Sequence, residues 1–178
     1  MQIKTSCYVQ GALLTDVGVL LPLVFHVFGQ DAGRLFLPMH LPTLMAGLML
    51  GPLLGCIVGI LTPILSYLFM GMPPIPVLFF MIAELAVYGM SSGFFLKKLG
   101  LNIYICLILS MILGRIASGI TVLFAVLAFS FGAAPLPYVT GAVVAGIPGI
   151  IAQIVILPPL YAALKKGGYR DGTAANGH

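Results

Sequence analysis

Long apolar segments, separated by short polar or proline-rich ones, make up most of the chain. A transmembrane helix needs about 20 predominantly apolar residues. The run from Leu37 to Met70 is too long for one helix, and Gly51-Pro52 divides it because proline lacks an N–H and disfavours helix in the residue before it. The pattern therefore predicts six helices, at residues 7–28, 39–51, 54–70, 77–96, 101–129 and 138–164.

The composition indicates that lipid, and not water, surrounds most of the chain. Of the 178 residues, 61% are hydrophobic and only 7% are charged, whereas about a quarter of the residues of a soluble domain are charged. We expect an all-α polytopic membrane protein, in which residues 1–168 form a single six-helix domain and residues 169–178 a disordered polar tail. This length leaves no room for a soluble module, so an ATPase or catalytic domain would have to lie on another chain.

The basic residues lie at the ends of the apolar runs, so the net charge of +4 indicates membrane topology and not nucleic acid binding. Cytoplasmic loops carry an excess of lysine and arginine. With the amino terminus in the cytoplasm, only Arg34 among the loop residues faces outward. The residues that then face inward are Lys4, Lys97, Lys98, Lys165, Lys166 and Arg170. Both termini are therefore predicted to be cytoplasmic, with residues 29–37, 71–76 and 130–137 outside.

Small residues recur at four-residue spacing, which is typical of close helix contacts inside a membrane. Residues four apart share one face of a helix. One such stripe, if its segment is helical, comprises Gly47, Gly51, Gly55 and Gly59. Similar stripes are present on the first and fourth helices: Gly11, Thr15 and Gly18, and Gly89 and Gly93.

Three ionisable residues, Asp16, Glu84 and Arg115, fall inside apolar segments. A charge at the bilayer centre costs at least about 2.5 kcal/mol, so such residues are expected to face the protein interior and to have a partner. At a rise of about 1.5 Å per residue, all three lie at a similar depth, slightly outward of the bilayer centre. A short basic turn joins the fourth and fifth helices, so we expect these helices to be adjacent and Glu84 to pair with Arg115.

Two interpretations of this pair remain open. It is either a buried ion pair that fixes helix register and binds nothing, or the polar floor of a ligand cavity. Arginine suits a carboxylate or phosphate because its planar fork donates two parallel hydrogen bonds. Tyr88 and Phe80 lie one turn on either side of Glu84, and they either line the cavity for a small ring or amide or pack as ordinary helix residues.

The first outer loop holds the other concentration of polar residues. We expect it to close over an outward-facing cavity, although a plain solvated connector is the alternative. The residues concerned are Arg34 and His40, expected to contact a ligand, and Gln30, Asp31 and Phe36, expected to gate the cavity. The spacing of His26 and His40 matches no metal motif, so no metal site is predicted.

The sequence offers little support for catalysis. There is no His-Glu-x-x-His and no Walker-type phosphate loop. A Gly-x-Ser-x-Gly pattern occurs at 89–93, but Ser91 and Ser92 have no histidine near them in sequence, and small polar packing explains them. We therefore expect that the chain is not an enzyme, does not hydrolyse ATP itself and carries no cofactor.

Four segments together resemble the substrate-binding S component of energy-coupling factor (ECF) vitamin transporters, and the likeness covers roughly residues 7–165. The segments are Leu-Met-Ala-Gly-Leu-Met-Leu-Gly-Pro-Leu-Leu-Gly (44–55), Val-Gly-Ile-Leu-Thr-Pro (58–63), Glu-Leu-Ala-Val-Tyr-Gly-Met-Ser-Ser-Gly (84–93) and Gly-Arg (114–115). The resemblance implies a six-helix bundle in the plasma membrane of a prokaryote, with an outward-facing vitamin site capped by the first outer loop.

The resemblance also implies partners, namely a transmembrane coupling subunit and two ABC-type ATPases. In the family mechanism it implies, the bundle topples within the membrane with its vitamin, and ATP hydrolysis by the partner resets it. Small residues on the first helix of the family, often alanines four apart, contact the coupling subunit. The nearest match here departs from that alanine pattern and comprises Gly11, Ala12, Thr15 and Gly18.

The function expected from these observations is high-affinity capture of a small water-soluble vitamin or precursor, delivered inward by an ATP-driven ECF module. A membrane-embedded enzyme and a stand-alone carrier or channel are the alternatives. The missing nucleophile–base spacing counts against an enzyme, and no helix has the polar stripe of a channel. Pantothenate, pyridoxine and the pyrimidine precursor of thiamine all fit an arginine–glutamate floor loosely, so the vitamin stays open.

Overall fold

The computed structural model describes residues 5–26, 37–129 and 135–166, and every regular element within these ranges is a helix. The six helices are α1 (Thr5–His26), α2 (His40–Leu50), α3 (Pro52–Met70), α4 (Val77–Lys97), α5 (Ile103–Phe129) and α6 (Pro135–Lys166). They overlap the six predicted helices, and the all-α prediction is confirmed over the described residues, whereas six membrane crossings stay a prediction.

Five of these helices are long and apolar enough to cross a membrane, and α2 is the exception. With 11 residues, α2 is about 16 Å long, roughly half of a 30 Å hydrocarbon core. It begins at His40, which lies against Glu84 in the middle of α4, and it ends where Lys97, at the end of α4, donates a hydrogen bond to the Met49 carbonyl. The second predicted crossing therefore starts its helix halfway down the bundle.

The break between α2 and α3 occurs at Gly51-Pro52, where the sequence predicts it. Gly51 has a φ of 95°, a backbone conformation that favours glycine, and Pro52 begins the next helix, where its missing N–H costs nothing. The chain reverses here, so that Gly47 and Gly55 meet across the hairpin. Gly51 itself is not helical, and the predicted glycine stripe is therefore divided between two helices.

Close backbone contact joins α2, α3 and α4, and glycines make it possible. A Cβ atom on Gly89 would lie 2.0 Å from the carbonyl oxygen of Gly55, and one on Gly47 would lie 2.2 Å from the carbonyl oxygen of Gly89. A Cβ on Gly59 would meet the Leu85 carbonyl oxygen at 2.3 Å. Because lipid is as apolar as leucine, such close packing is what holds membrane helices together. The predicted role of these small residues is confirmed.

The bundle is arranged around α2, of which ten of the eleven residues are buried. It contacts α1, α3, α4 and α6, while α5 packs between α4 and α6. The last helix, α6, is the most loosely packed, because only 22% of the residues in its most apolar stretch are buried in the protein. Large apolar side chains such as Leu20, Phe124 and Val155 are exposed on the outer faces of the bundle, as expected for surfaces that meet lipid.

Candidate ligand site

The predicted pair of buried charges is present and includes a third side chain. Arg115 Nη1 on α5 lies 3.0 Å from Glu84 Oε1 on α4. His40 Nε2, in the first turn of α2, lies 3.2 Å from the same oxygen. Only 5% of the Glu84 side chain and 12% of the Arg115 side chain are exposed. Three helices therefore converge on one carboxylate in the interior of the bundle.

Aromatic rings surround this carboxylate. Tyr88 lies one turn from Glu84 on α4 and packs edge-on against the His40 ring, with the ring centroids 5.2 Å apart. Its hydroxyl lies close to both Glu84 and Arg115. Phe80, one turn on the other side of Glu84, is equally buried. Five of the predicted ligand-contacting residues therefore lie together. Arg115 and His40 contact Glu84 from other helices, and Tyr88 and Phe80 lie on the same face of α4 as Glu84.

Gly114 lets α5 approach α4 closely enough for the ion pair to form. A Cβ atom at this position would lie 1.9 Å from Tyr88 Cε1 and 3.1 Å from the Glu84 carbonyl oxygen. The ring of Tyr88 therefore occupies the space that any larger residue would need. Gly114 allows α5 to cross α4 closely, and this crossing brings the neighbouring Arg115 within reach of Glu84.

Several polar atoms at the site have no hydrogen-bond partner among the described residues. These atoms are Arg115 Nε and Nη2, His40 Nδ1 and Gln153 Oε1. Gln153, which is 1% exposed, projects from α6, and its Nε2 lies 3.5 Å from the carbonyl oxygen of Leu37, just before α2. Unpartnered buried polar groups are costly and rare, so this cluster is arranged as if to receive a further donor and acceptor.

Sequence reasoning missed Gln153. The signal was available, because Gln153 is the only amide side chain inside the last apolar run and is a polar residue without a helix-terminal role. A neutral amide costs less to bury than a charge, so it was less conspicuous than Glu84 and Arg115.

A groove of about 710 Å³ runs between α5 and α6, and Arg115 is one of the residues that line it. All its other lining residues are apolar, and they include Ile108, Ile112, Ile116, Val143, Ile150 and Ile154. The groove gives Arg115 two different neighbourhoods: the carboxylate of Glu84 on one side and an apolar trough on the other.

The remaining predicted site residues belong to the first outer loop. Arg34, Gln30, Asp31 and Phe36 lie outside the described residues, so their contact with a ligand and the closing of the loop stay predictions. Over the described parts of the chain, no cluster of three histidine, cysteine or acidic residues capable of holding a metal is present.

The predicted partner surface on α1 is divided by the fold. Gly11, Thr15 and Gly18 are buried, with Gly11 packed on Leu50 and Val58. Thr15 Oγ1 donates its hydrogen bond to the Gly11 carbonyl. Ala12 is exposed, as a surface for a partner helix requires. Whether these four residues contact a partner stays a prediction.

The expectation that Asp16 faces the protein interior is wrong. Asp16 is exposed on the outer face of α1, and α1 packs against α2 and α3, away from α4 and α5. Helical periodicity explains the difference. Gly11, Thr15 and Gly18 turn one face of α1 toward α2 and α3, and Asp16 lies one residue, or about 100° of rotation, from Thr15.

Residues 9–161 match the protein family described as the ECF transporter, substrate-specific component. The chain belongs to this family. ECF substrate-specific components are transporter subunits of the membrane and not enzymes, and they work with an ECF module of a coupling subunit and ATPases. No curated protein and no solved structure matches the chain. The family of this ECF component is therefore known, whereas its ligand has to be inferred from the side chains of the site.

Proposed function

We propose that this ECF substrate-specific component captures a small water-soluble vitamin or vitamin precursor with high affinity, at an outward-facing site inside the membrane. Glu84, Arg115, Tyr88, Phe80 and His40 form the protein side of this site, and Arg34 completes it from the first outer loop. The observation that carries the proposal is the buried guanidinium of Arg115, which has one nitrogen on Glu84 and two that find no partner within residues 5–26, 37–129 and 135–166.

The unpartnered donors favour a ligand site over a purely structural ion pair. A buried pair that only fixes helix register is stable when its remaining donors are hydrogen-bonded as well. Here Arg115 Nε and Nη2 and Gln153 Oε1 lack such partners, and each lost hydrogen bond costs about 1–3 kcal/mol. A bound solute that supplies the missing partners removes this cost, and that difference is a source of affinity.

Capture and delivery require two further parts. Gln30, Asp31 and Phe36 close the first outer loop over the bound solute and hold it against loss to the outside. The ECF module, with its transmembrane coupling subunit and two ABC-type ATPases, then drives inward delivery, because a ligand-binding bundle without an energy source cannot accumulate solute against a gradient. Ala12 and its neighbours on α1 provide the contact with the coupling subunit.

A stand-alone carrier is the second candidate, favoured by the loose packing of α6 and the groove beside it. Solute flux into liposomes that contain only this chain would support a carrier. A requirement for the ECF module would support the proposed function.

The proposal is tested by identifying small molecules that copurify with the detergent-extracted protein by mass spectrometry, and by measuring their equilibrium binding. We expect Arg115→Ala and Glu84→Ala each to weaken binding at least tenfold while the protein still inserts. Ser110→Ala is the matched control, since Ser110 is a buried polar residue of α5 whose hydroxyl donates to the Cys106 carbonyl, away from the site. Unchanged affinity in both site variants would reduce Glu84 and Arg115 to structural residues.

A further inference from the structure

The free edge of Arg115 defines the class of ligand, an inference that rests on the function proposed above. Nη1 is engaged by Glu84, so the unpartnered Nε and Nη2 lie on the opposite edge of the guanidinium. These two N–H groups are parallel donors, which match the two oxygens of a carboxylate better than a single hydroxyl or ring nitrogen. The ion pair thus orients Arg115 and leaves its bidentate edge for a ligand.

The surroundings of this edge add a requirement for a donor on the ligand. A Cβ atom placed on Gly146 of α6 would lie 3.2 Å from Arg115 Nη2 and 2.9 Å from Leu37 Cδ1, so Leu37 and the free edge are neighbours. Gln153 Oε1, buried at the same place, requires a donor such as a ligand hydroxyl or N–H.

The body of the ligand has a different environment. Apart from Arg115, the groove between α5 and α6 is lined only by apolar residues, among them Met111, Ile112 and Ile150. A hydroxyl-rich body lying there would leave its polar groups without partners, which is unfavourable, whereas a hydrocarbon or thioether body would not. We propose that the ligand is an amphipathic monocarboxylate, with its carboxylate on the free edge of Arg115 and its apolar body in this groove.

Matched acids and amides test the carboxylate. The probes are octanoate and lipoate, biotin, whose N–H groups can also donate to Gln153 Oε1, the neutral amides of all three, and pantothenate as a polar carboxylate, each measured for binding to the purified protein. At least one amphipathic acid should bind ten times more tightly than its own amide and than pantothenate. Arg115→Lys keeps the charge but loses the two-pronged fork, and it should reduce this acid-to-amide ratio at least fivefold, a change that a general loss of folding does not produce.

A neighbouring pair of substitutions tests the groove. Ile112 lines it, whereas Leu113, also exposed on α5, does not. Ile112→Trp should weaken binding of the preferred acid at least tenfold, and Leu113→Trp should leave it unchanged. If pantothenate or pyridoxine binds best, or if both variants bind alike, the ligand class is wrong and the capture function stands. If no probe binds and no small molecule copurifies, the proposed function fails with it.

A second, independent observation concerns Asp16, which lies 11 residues into a 22-residue helix, near mid-membrane. Its side chain is exposed, and among the described residues it has no hydrogen bond or ion pair. A carboxylate facing hydrocarbon is unfavourable, and intramembrane acids almost always face protein or a polar partner. A groove of about 180 Å³ between α1 and α3, lined in part by Ala12, Leu54 and Ile57, lies next to it.

Membership of the ECF family already implies that α1 contacts the coupling subunit; we infer further that this partner, where it packs along the groove, covers Asp16 with a basic or amide side chain. The coupling subunit as partner rests on the proposed function, whereas the need for a covering donor rests on Asp16 alone. Ala12, which is exposed and lines the groove, is small enough for a partner helix to come close.

Co-expression with the coupling subunit and ATPases of the same host tests this contact. Asp16→Leu should lower the amount of coupling subunit that copurifies at least tenfold and leave ligand binding by the isolated chain unchanged. Val17→Leu, at the neighbouring exposed position, should form the complex normally. Equal recovery of the complex with Asp16→Leu overturns the inference, as does an Asp16-dependent dimer of the isolated chain in light scattering, which would make a second copy the occupant. If the unsubstituted chain forms no complex, the proposed function itself is wrong.

Discussion

At the residue scale, replacing both Glu84 and Arg115 should have different effects on stability and on ligand binding. Removing one partner leaves the other charge buried and unpaired, which lowers the free energy of unfolding by about 3–5 kcal/mol. Replacing both partners by apolar residues of similar size often leaves the stability unchanged. We expect Glu84→Leu and Arg115→Met each to lower the unfolding temperature in detergent. The double variant should recover part of the loss, because His40 Nε2 still lacks the Glu84 carboxylate. Ligand binding should be lost in all three.

That contrast separates a ligand site from a structural pair. A thermal unfolding series with and without ligand measures both quantities on the same samples. A double variant that is as unstable as either single variant would contradict the pairwise account. A double variant that still binds would contradict the site.

Sequence reasoning at this scale succeeded for the pair and failed for two other residues. Glu84 and Arg115 could be matched because helix rise gives depth, and because the Lys97-Lys98 turn makes their helices neighbours. Asp16 has the same depth, but its direction depends on which face of α1 packs inward, and this is set by contacts with α2 and α3. Gln153 carries no charge, so the argument from the cost of burial did not single it out.

At the scale of elements, the crossing of α3 and α4 depends on Gly89. A Cβ atom there would lie 2.0 Å from the Gly55 oxygen, and this is a contact with backbone that no side-chain rotation relieves. Overpacking of this kind typically costs about 1–3 kcal/mol, and more where backbone must move. We expect Gly89→Ala to lower the unfolding temperature and to weaken ligand binding, because Glu84 and Tyr88 lie on the same helix.

The control for this substitution is Gly141→Ala, a helical glycine of α6 where a Cβ atom meets nothing within 4 Å. Alanine is the better helix former, so this variant should be at least as stable as the unsubstituted protein. Circular dichroism melts of the two variants provide the comparison. Equal stability of both would show that α3 and α4 adjust to the added methyl group, contrary to the close contact described.

The helices were largely predictable from the sequence, but the depth at which α2 begins was not. Helix-length apolar runs and the Gly51-Pro52 break are local features, and the observed helices follow them. The start of α2 at mid-depth is different. It follows from contacts of His40 with Glu84 and of Lys97 with Met49, between segments more than forty residues apart, and no local pattern reveals such pairings.

At the scale of the whole molecule, the orientation in the membrane decides whether the site can serve uptake. The distribution of basic residues predicts that Lys97 and Lys98 face the cytoplasm, and Lys97 lies at the Gly51 end of α2. The His40 end, with Glu84 beside it, must then be nearer the outside. If the chain were inverted, the same cluster would open toward the cytoplasm, and an outward-facing capture site would be impossible.

Cysteine labelling tests this orientation. In a background with Cys7, Cys56 and Cys106 replaced by alanine, Lys98→Cys should react with a membrane-impermeant maleimide only after the cells are opened. Ile75→Cys, at an exposed position of the α3–α4 turn, should react in intact cells. The reverse result would place the unpartnered edge of Arg115 on the cytoplasmic side, where a ligand captured from outside has no path to it. The labelling pattern at Lys98 and Ile75 therefore decides whether the site can capture a ligand from outside the cell.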